Sequence, residues 1–265
     1  MTILETSLAG WAGLFVLFTG LWLVQRRTND AGVVDVGWAA GLGLLAALHA
    51  VVGAGPWERR LLVGAMATLW SLRLALHLLF DRIVGKPEDG RYQALRAAWG
   101  ERQQPYLFLF FQAQALLDVV LAVPFAVAMS GAAPFPGPGD ALGLVVLVVA
   151  VLGESLADRQ LARFRGRPES KGKTCREGLW RYSRHPNYFF EWLHWWSYVA
   201  VAALAGAAWW WASLLGPALI LLFLLRVTGI PYTEAQALKS RGDDYRDYQR
   251  TTSAFVPWFP KRSTP

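Results

Sequence analysis

Seven apolar runs divide this chain of 265 residues, at about 8–24, 33–53, 61–80, 107–129, 141–157, 188–207 and 209–228. Crossing the hydrocarbon core of a bilayer takes roughly 20 mostly apolar residues, and most of these runs are near that length. The pattern predicts an all-α polytopic membrane protein of seven transmembrane helices. The connections are too short for a separate soluble domain, so residues 1–265 are expected to form a single seven-helix membrane domain. Composition agrees, because 17% of the residues are charged where soluble domains carry about 25%. The first run ends in Gln25-Arg26-Arg27 with no positive charge before it, the reverse of a cleaved leader, and reads as a retained anchor. Cys175 is the only cysteine, so no internal disulfide is expected.

The basic residues orient the helices. Segment 25–32 holds two Lys or Arg, 81–106 holds five, 158–187 holds nine and the tail from 229 holds six, which places 22 of the 26 on one side. The other side has only Arg59 and Arg60. The positive-inside rule then predicts an outside N-terminus and a cytoplasmic C-terminus, as an odd number of spans requires. The expected location is a bacterial inner membrane, with the active site opening to the cytoplasm. Topology accounts for the net charge of +7, and no nucleic-acid partner is inferred. Lipids are the expected surroundings, and oligomeric state is left open.

Some motifs carry no chemistry here. Gly41-x-Gly43-x-x-Ala46 fits a dinucleotide fingerprint, but that motif works only between a strand and a helix. Inside a membrane helix, overlapping Gly37-x-x-x-Gly41, it predicts close helix packing. There is no P-loop, no HExxH pair, no Ser-His-Asp elbow and no expected metal.

A charge inside a span costs about 2.5–3.5 kcal/mol on insertion scales and is a functional candidate by default. Asp35, Arg73, Asp118, Glu191 and Arg226 all lie within runs. Asp118 is read as structural, paired with a neighbouring helix. In the sixth run Asn187, Glu191, His194, Trp195 and Tyr198 form one polar stripe, since residues three and four apart share a helix face. Just before it stands a donor-rich segment, Gly178 to Tyr188, in which Pro186 suits a first helical turn. The fifth run closes with Glu154 and Asp158, followed by Arg159, Arg163 and Arg165. Carboxylates bind hydroxyl and amide donors, whereas Arg binds phosphate. Together they predict a site for a nucleotide cofactor.

At these residues the sequence resembles the steroid 5α-reductase-like membrane proteins. Gly178–Glu191, GLWRYSRHPNYFFE, is similar to their C-terminal signature. The likeness extends over roughly residues 30 to 260, including Thr233-Glu234-Ala235, Tyr245, Tyr248 and Phe255-Val256-Pro257-Trp258. The resemblance implies a seven-helix fold, NADPH as cofactor, and reduction of the Δ4 double bond of a 3-oxo steroid. It implies that Asp158, Arg165, Asn187, Glu191 and Arg226 hold the cofactor, with Tyr182, Arg184 and His185 as further contacts. Glu191 is also expected to be catalytic beside the nicotinamide. Asp35, Trp70 and Arg73 fall on the substrate side. Trp70 stands where the animal enzymes carry a tyrosine, and an indole donates a hydrogen bond but no proton. Carbonyl polarisation then falls to Asp35 as a catalytic residue, protonated or bridged by water. Phe190 replaces a glycine of many bacterial relatives. A rival reading is an S-adenosylmethionine-dependent methyltransferase acting on a lipid or isoprenylcysteine. A third is a non-catalytic sterol- or lipid-binding membrane protein.

Overall fold

The computed structural model describes residues 1–227 and 229–261. Among the described residues it contains helices and no strand. Six helical stretches are long and apolar enough to cross a membrane: Ile3–Thr28, Val33–Val52, Trp57–Ile83, Gly90–Met129, Pro138–Arg165 and Trp210–Arg241. They match six of the seven expected runs. The sixth run is helical too, over Pro186–Leu204, but its polar stripe holds it outside that group.

Among the described residues the α-helices, in chain order, are α1 (Ile3–Thr28), α2 (Val33–Val52), α3 (Trp57–Leu78), α4 (Gly90–Trp99), α5 (Gln103–Met129), α6 (Pro138–Arg165), α7 (Pro186–Leu204), α8 (Leu215–Leu222), α9 (Ile230–Arg241) and α10 (Asp243–Thr251). Among the described residues the run 209–228 holds one short α-helix, between a 3₁₀ turn at Trp210–Leu214 and a π turn at Phe223–Val227. Helix α4 was not expected, because it lies in a basic connection. The chain forms two compact units, one of Met1–Ala141 with Tyr198–Leu215, the other of Leu142–Ser197 with Gly216–Pro265.

In the first unit α1, α2, α3 and α5 pack together. A capping box between Thr2 and Glu5 opens α1, each side chain taking an end N–H of the helix. Small residues let the backbones of α2 and its neighbours approach: a side chain at Gly37 would overlap Leu21, and one at Gly41 would overlap the Asp118 carboxylate. Close packing, not nucleotide binding, is thus the role of this glycine series. The α1–α5 seam carries polar rungs, Gln25 Nε2 donating to Gln104 Oε1 (2.8 Å) and Gln112 Nε2 to Thr19 Oγ1 (3.2 Å). Asp118 sits higher on α5, fully buried, and neither oxygen accepts a hydrogen bond among the described residues. The expected pairing with a neighbouring helix is absent.

The connection from α5 to α6 is held by one arginine. Arg59, with no solvent exposure, donates Nε and Nη2 to the two Asp140 oxygens at 2.8 and 2.9 Å. Its other N–H groups reach the carbonyls of Gly131, Ala133 and Pro134. Planar guanidinium geometry allows all five bonds at once, which an ammonium could not do.

Candidate functional site

Two groups of polar side chains stand out, one in each unit. In the second unit α6 ends at Arg165, and the chain returns through the segment 166–185 to α7. That segment docks back on α6. Trp180 Nε1 donates to the Ala157 carbonyl at 2.9 Å, and the Leu179 N–H to Gln160 Oε1 at 2.8 Å. Gly178 has φ +57° against the Gln160 side chain, a left-handed turn with no room for a Cβ. Pro186 then begins α7 and sets Asn187 in its first turn.

Asn187 Nδ2 donates to Asp158 Oδ1 at 3.2 Å, so the structure brings these two predicted residues together. Asn187 Oδ1 is buried and has no partner among the described residues, a free acceptor of the kind native interiors rarely leave open. Glu154 is buried one turn before Asp158. Glu191 stands one turn after Asn187 on the same face of α7.

Beyond the end of α6 lies a cavity of about 460 Å³. Arg165, Arg167, Lys171, Lys173 and Arg241 line it together with Cys175, and no Asp or Glu is among its lining residues. Arg167 pairs with Glu177 at 2.7 Å. Arg165, Lys171 and Lys173 form no ion pair among the described residues, and Arg241 lies over the Tyr245 ring at 5.5 Å. Burial pushes the Cys175 thiol above its ordinary range, against the pull of a backbone N–H and of Arg167 and Arg165. Five cations around one void form an anion site in chemical terms. Arg241 was not among the expected residues. It lies 76 residues from Arg165, and only the return of α9 brings them together.

Arg184 and His185 are engaged elsewhere. Glu234 of α9 accepts from Arg184 Nε at 2.7 Å, contacts His185 Nε2 at 3.2 Å, and accepts from Gln249 Nε2 at 2.7 Å. Arg184 Nη1 also reaches the carbonyls of Gln249 and Thr252. Burial pushes the His185 ring below its ordinary value, and the neighbouring Glu234 only partly offsets this. The His185 ring also stacks on Tyr188. These side chains hold α9, α10 and the tail together. Tyr182 packs edge-on against Phe259, and Arg226 is exposed in the π turn after α8.

In the first unit Asp35, in the first turn of α2, accepts from Arg91 Nη2 at 2.9 Å and from the Tyr92 hydroxyl at 2.6 Å. Asp89 caps α4 through the Arg91 N–H and takes two further bonds from the Arg91 guanidinium. Arginine 91 holds the Asp89 carboxylate below its usual range, although burial pushes the other way. Both Asp35 oxygens accept bonds from protein groups. Trp70 is buried and Arg73 half-buried on α3.

The model of the family described as "Protein of unknown function (DUF1295)" matches residues 21–252. The chain belongs to this family, which is related to the steroid 5α-reductase-like membrane proteins. A protein of Schizosaccharomyces pombe, Uncharacterized protein C594.04c, is 29% identical over 217 residues, or 72% of this chain. The match spans 63% of that relative's length. No solved structure matches.

Proposed function

We propose that this DUF1295 protein is an NADPH-dependent membrane reductase, reducing the Δ4 double bond of a 3-oxo steroid or a similar apolar enone that enters from lipid. In this reading it resides in a bacterial inner membrane and opens to the cytoplasm. The observation that carries the reading is the cationic cavity at Arg165 and Arg241 on the same unit as the free acceptor of Asn187. The donor set fits the cofactor at both ends. Unpaired guanidiniums suit the phosphates, and a buried acceptor suits the carboxamide N–H₂ of a nicotinamide. Arg165, Lys173 and Arg241 would hold phosphate; Asn187, fixed by Asp158, and Glu191 would hold the nicotinamide end.

NADPH, when bound, supplies a hydride. The chain's own residues bind and orient, and must meet negative charge as it develops on the carbonyl oxygen. That role stays with the Asp35 cluster, and its donor is reassigned. Arg91 Nη1 makes no hydrogen bond among the described residues, whereas its Nε and Nη2 are engaged by Asp89 and Asp35. Asp35 thus orients a cationic donor. Trp70 and Arg73 are kept as substrate-side residues.

Titration of the protein in lipid nanodiscs tests the reading. NADPH should bind well over tenfold more tightly than NADH, since one charge-assisted contact is worth roughly 1.5–3 kcal/mol. Equal affinities, or tighter binding of S-adenosylmethionine, would overturn it.

A further inference from the structure

The tail after α10 exposes a compact apolar patch outside all six apolar stretches. Val256 is 53% exposed, Trp258 70% and Phe259 76%. The last of those stretches ends at Arg241, so no apolar helix accounts for them. Soluble surfaces seldom leave two adjacent aromatic residues this open, and such patches mark a partner.

The patch rests on an ordered strap. The Trp258 N–H donates to the Tyr182 carbonyl at 2.9 Å, and the Lys261 N–H to the Thr251 carbonyl at 2.8 Å. The Arg184 N–H donates to the Ser253 carbonyl and Ser183 Oγ to the Phe255 carbonyl, both at 2.8 Å. Phe255 turns inward and is buried, meeting Phe189 and Trp192 of α7. One face of the strap is therefore anchored, and the other faces out already ordered.

The charge around the patch is mainly positive, with Arg250 paired to Asp247 at 3.1 Å. Arg181, Arg250 and Lys261 are exposed, and residues 251–261 include no Asp or Glu. Tryptophan and phenylalanine beside lysine and arginine form the chemistry of a bilayer interface, with rings at headgroup depth and cations on anionic lipid.

We propose that the tail, through Trp258 and Phe259, docks on an anionic lipid surface and thereby steadies the segment Tyr182–Asn187 to which it is bonded. The occupant is the bilayer. The inference rests on the membrane reading of the chain and does not require the reductase reading.

The test uses Trp258→Cys in a Cys175→Ser background, labelled with a polarity-sensitive fluorophore. The protein is placed in nanodiscs of phosphatidylcholine alone or mixed with phosphatidylglycerol. Brominated lipids should quench the label severalfold more than aqueous iodide does, and more so in the anionic discs. A label at Glu169→Cys, an exposed position outside all six apolar stretches, serves as the aqueous reference. Iodide quenching equal to that reference overturns the proposal. So does shielding from iodide without quenching by brominated lipid, which indicates a second copy or another protein on the patch. Hydrogen exchange tests the coupling in unlabelled protein. Amides of Tyr182–Asn187 should exchange several times more slowly in anionic discs, and a Trp258→Ser, Phe259→Ser variant should lose that difference. Exchange that ignores lipid charge removes the steadying effect. Neither readout involves a cofactor, so failure here leaves the NADPH titration standing, and the reverse.

Discussion

Two sets of arginines lead opposite lives, one paired with carboxylates in the first unit and one beside the cavity of the second, where Arg167 and Arg184 still pair with Glu177 and Glu234. In the first unit Arg59 and Arg91 each meet a carboxylate, and Arg96 is engaged by Glu88, Gln25 and Gln103. In the second unit Arg165 and Arg241 stand beside a cavity with no carboxylate in its wall. Taking an ion from water costs several kcal/mol, which a buried partner must offset. Paired arginines inside a unit therefore hold the scaffold. Arg165 and Arg241, gathered around a void, repel one another, and an anion there would relieve that repulsion. The contrast teaches where a ligand belongs more clearly than a count of basic residues does.

The sharpest way to break the comparison is to remove a scaffold arginine. Arg59→Leu leaves the buried Asp140 carboxylate without its cation and three carbonyls without their donor. Breaking a buried pair in this way costs about 3–5 kcal/mol. Thermal unfolding in detergent should show a large loss of midpoint, with Arg59→Lys intermediate. A midpoint within a degree or two of the original would mean that pairing does not mark scaffold.

Arg165→Ala should do the reverse. Stability should hold or rise slightly, because one member of a repelling cluster has gone. NADPH affinity should fall by roughly 1.5–3 kcal/mol, the value of one charge-assisted contact, while NADH affinity should change much less. Equal losses for the two nucleotides would move the 2′-phosphate away from this cavity.

Much of the fold was legible because the bilayer demands it. Six of seven apolar runs are long enough helices, and their apolarity is a local property that any window reads. By hydropathy helix α7 is less apolar than the other long helices because of the Asn187-to-Tyr198 stripe, which the sequence singles out as a candidate site. The short helices α4, α9 and α10 carry no such signal, since their faces are set by partners distant in sequence. The site was legible in part. Spacing placed Asn187 and Glu191 on one helix face, Asp158 was set beside them at the end of the fifth run, and the structure joins Asn187 to Asp158 directly. Spacing could not say that Arg184 and His185 belong to Glu234, which lies 50 and 49 residues away. Nor could it find Arg91 and Tyr92 as the partners of Asp35. In each case local chemistry named a side chain able to bind, and only tertiary contact determined what it binds.

Tyr92→Phe sharpens the first-unit side of the comparison. It removes one hydrogen bond to a charged acceptor, worth about 1.5–3 kcal/mol at most, and leaves the Arg91–Asp35 pair in place. A modest fall in thermal midpoint with nucleotide affinity unchanged is the expected result. A loss of NADPH affinity would assign the Asp35 cluster to the cofactor instead of the substrate.

The smallest effect is read at Cys175, the one thiol of the chain and a wall residue of the cationic cavity. Its burial raises the pH at which it ionises, chiefly by excluding water from the thiolate. The sign of the consequence follows from linkage. Below the ordinary thiol value near 8.5, folded and unfolded chains both hold the proton, and stability is indifferent to this group. As pH rises through that value the unfolded thiol ionises first, so the folded state loses a little stability in alkali. Alkylation follows the thiolate, so iodoacetamide should modify native Cys175 at pH 8 far more slowly than the unfolded chain. Filling the cavity with NADPH should slow it further, whereas NADH should protect less at equal concentration. Nucleotide protection that persists in Arg165→Ala would separate Cys175 from the phosphate end of the site and so weaken the contrast between paired and waiting cations.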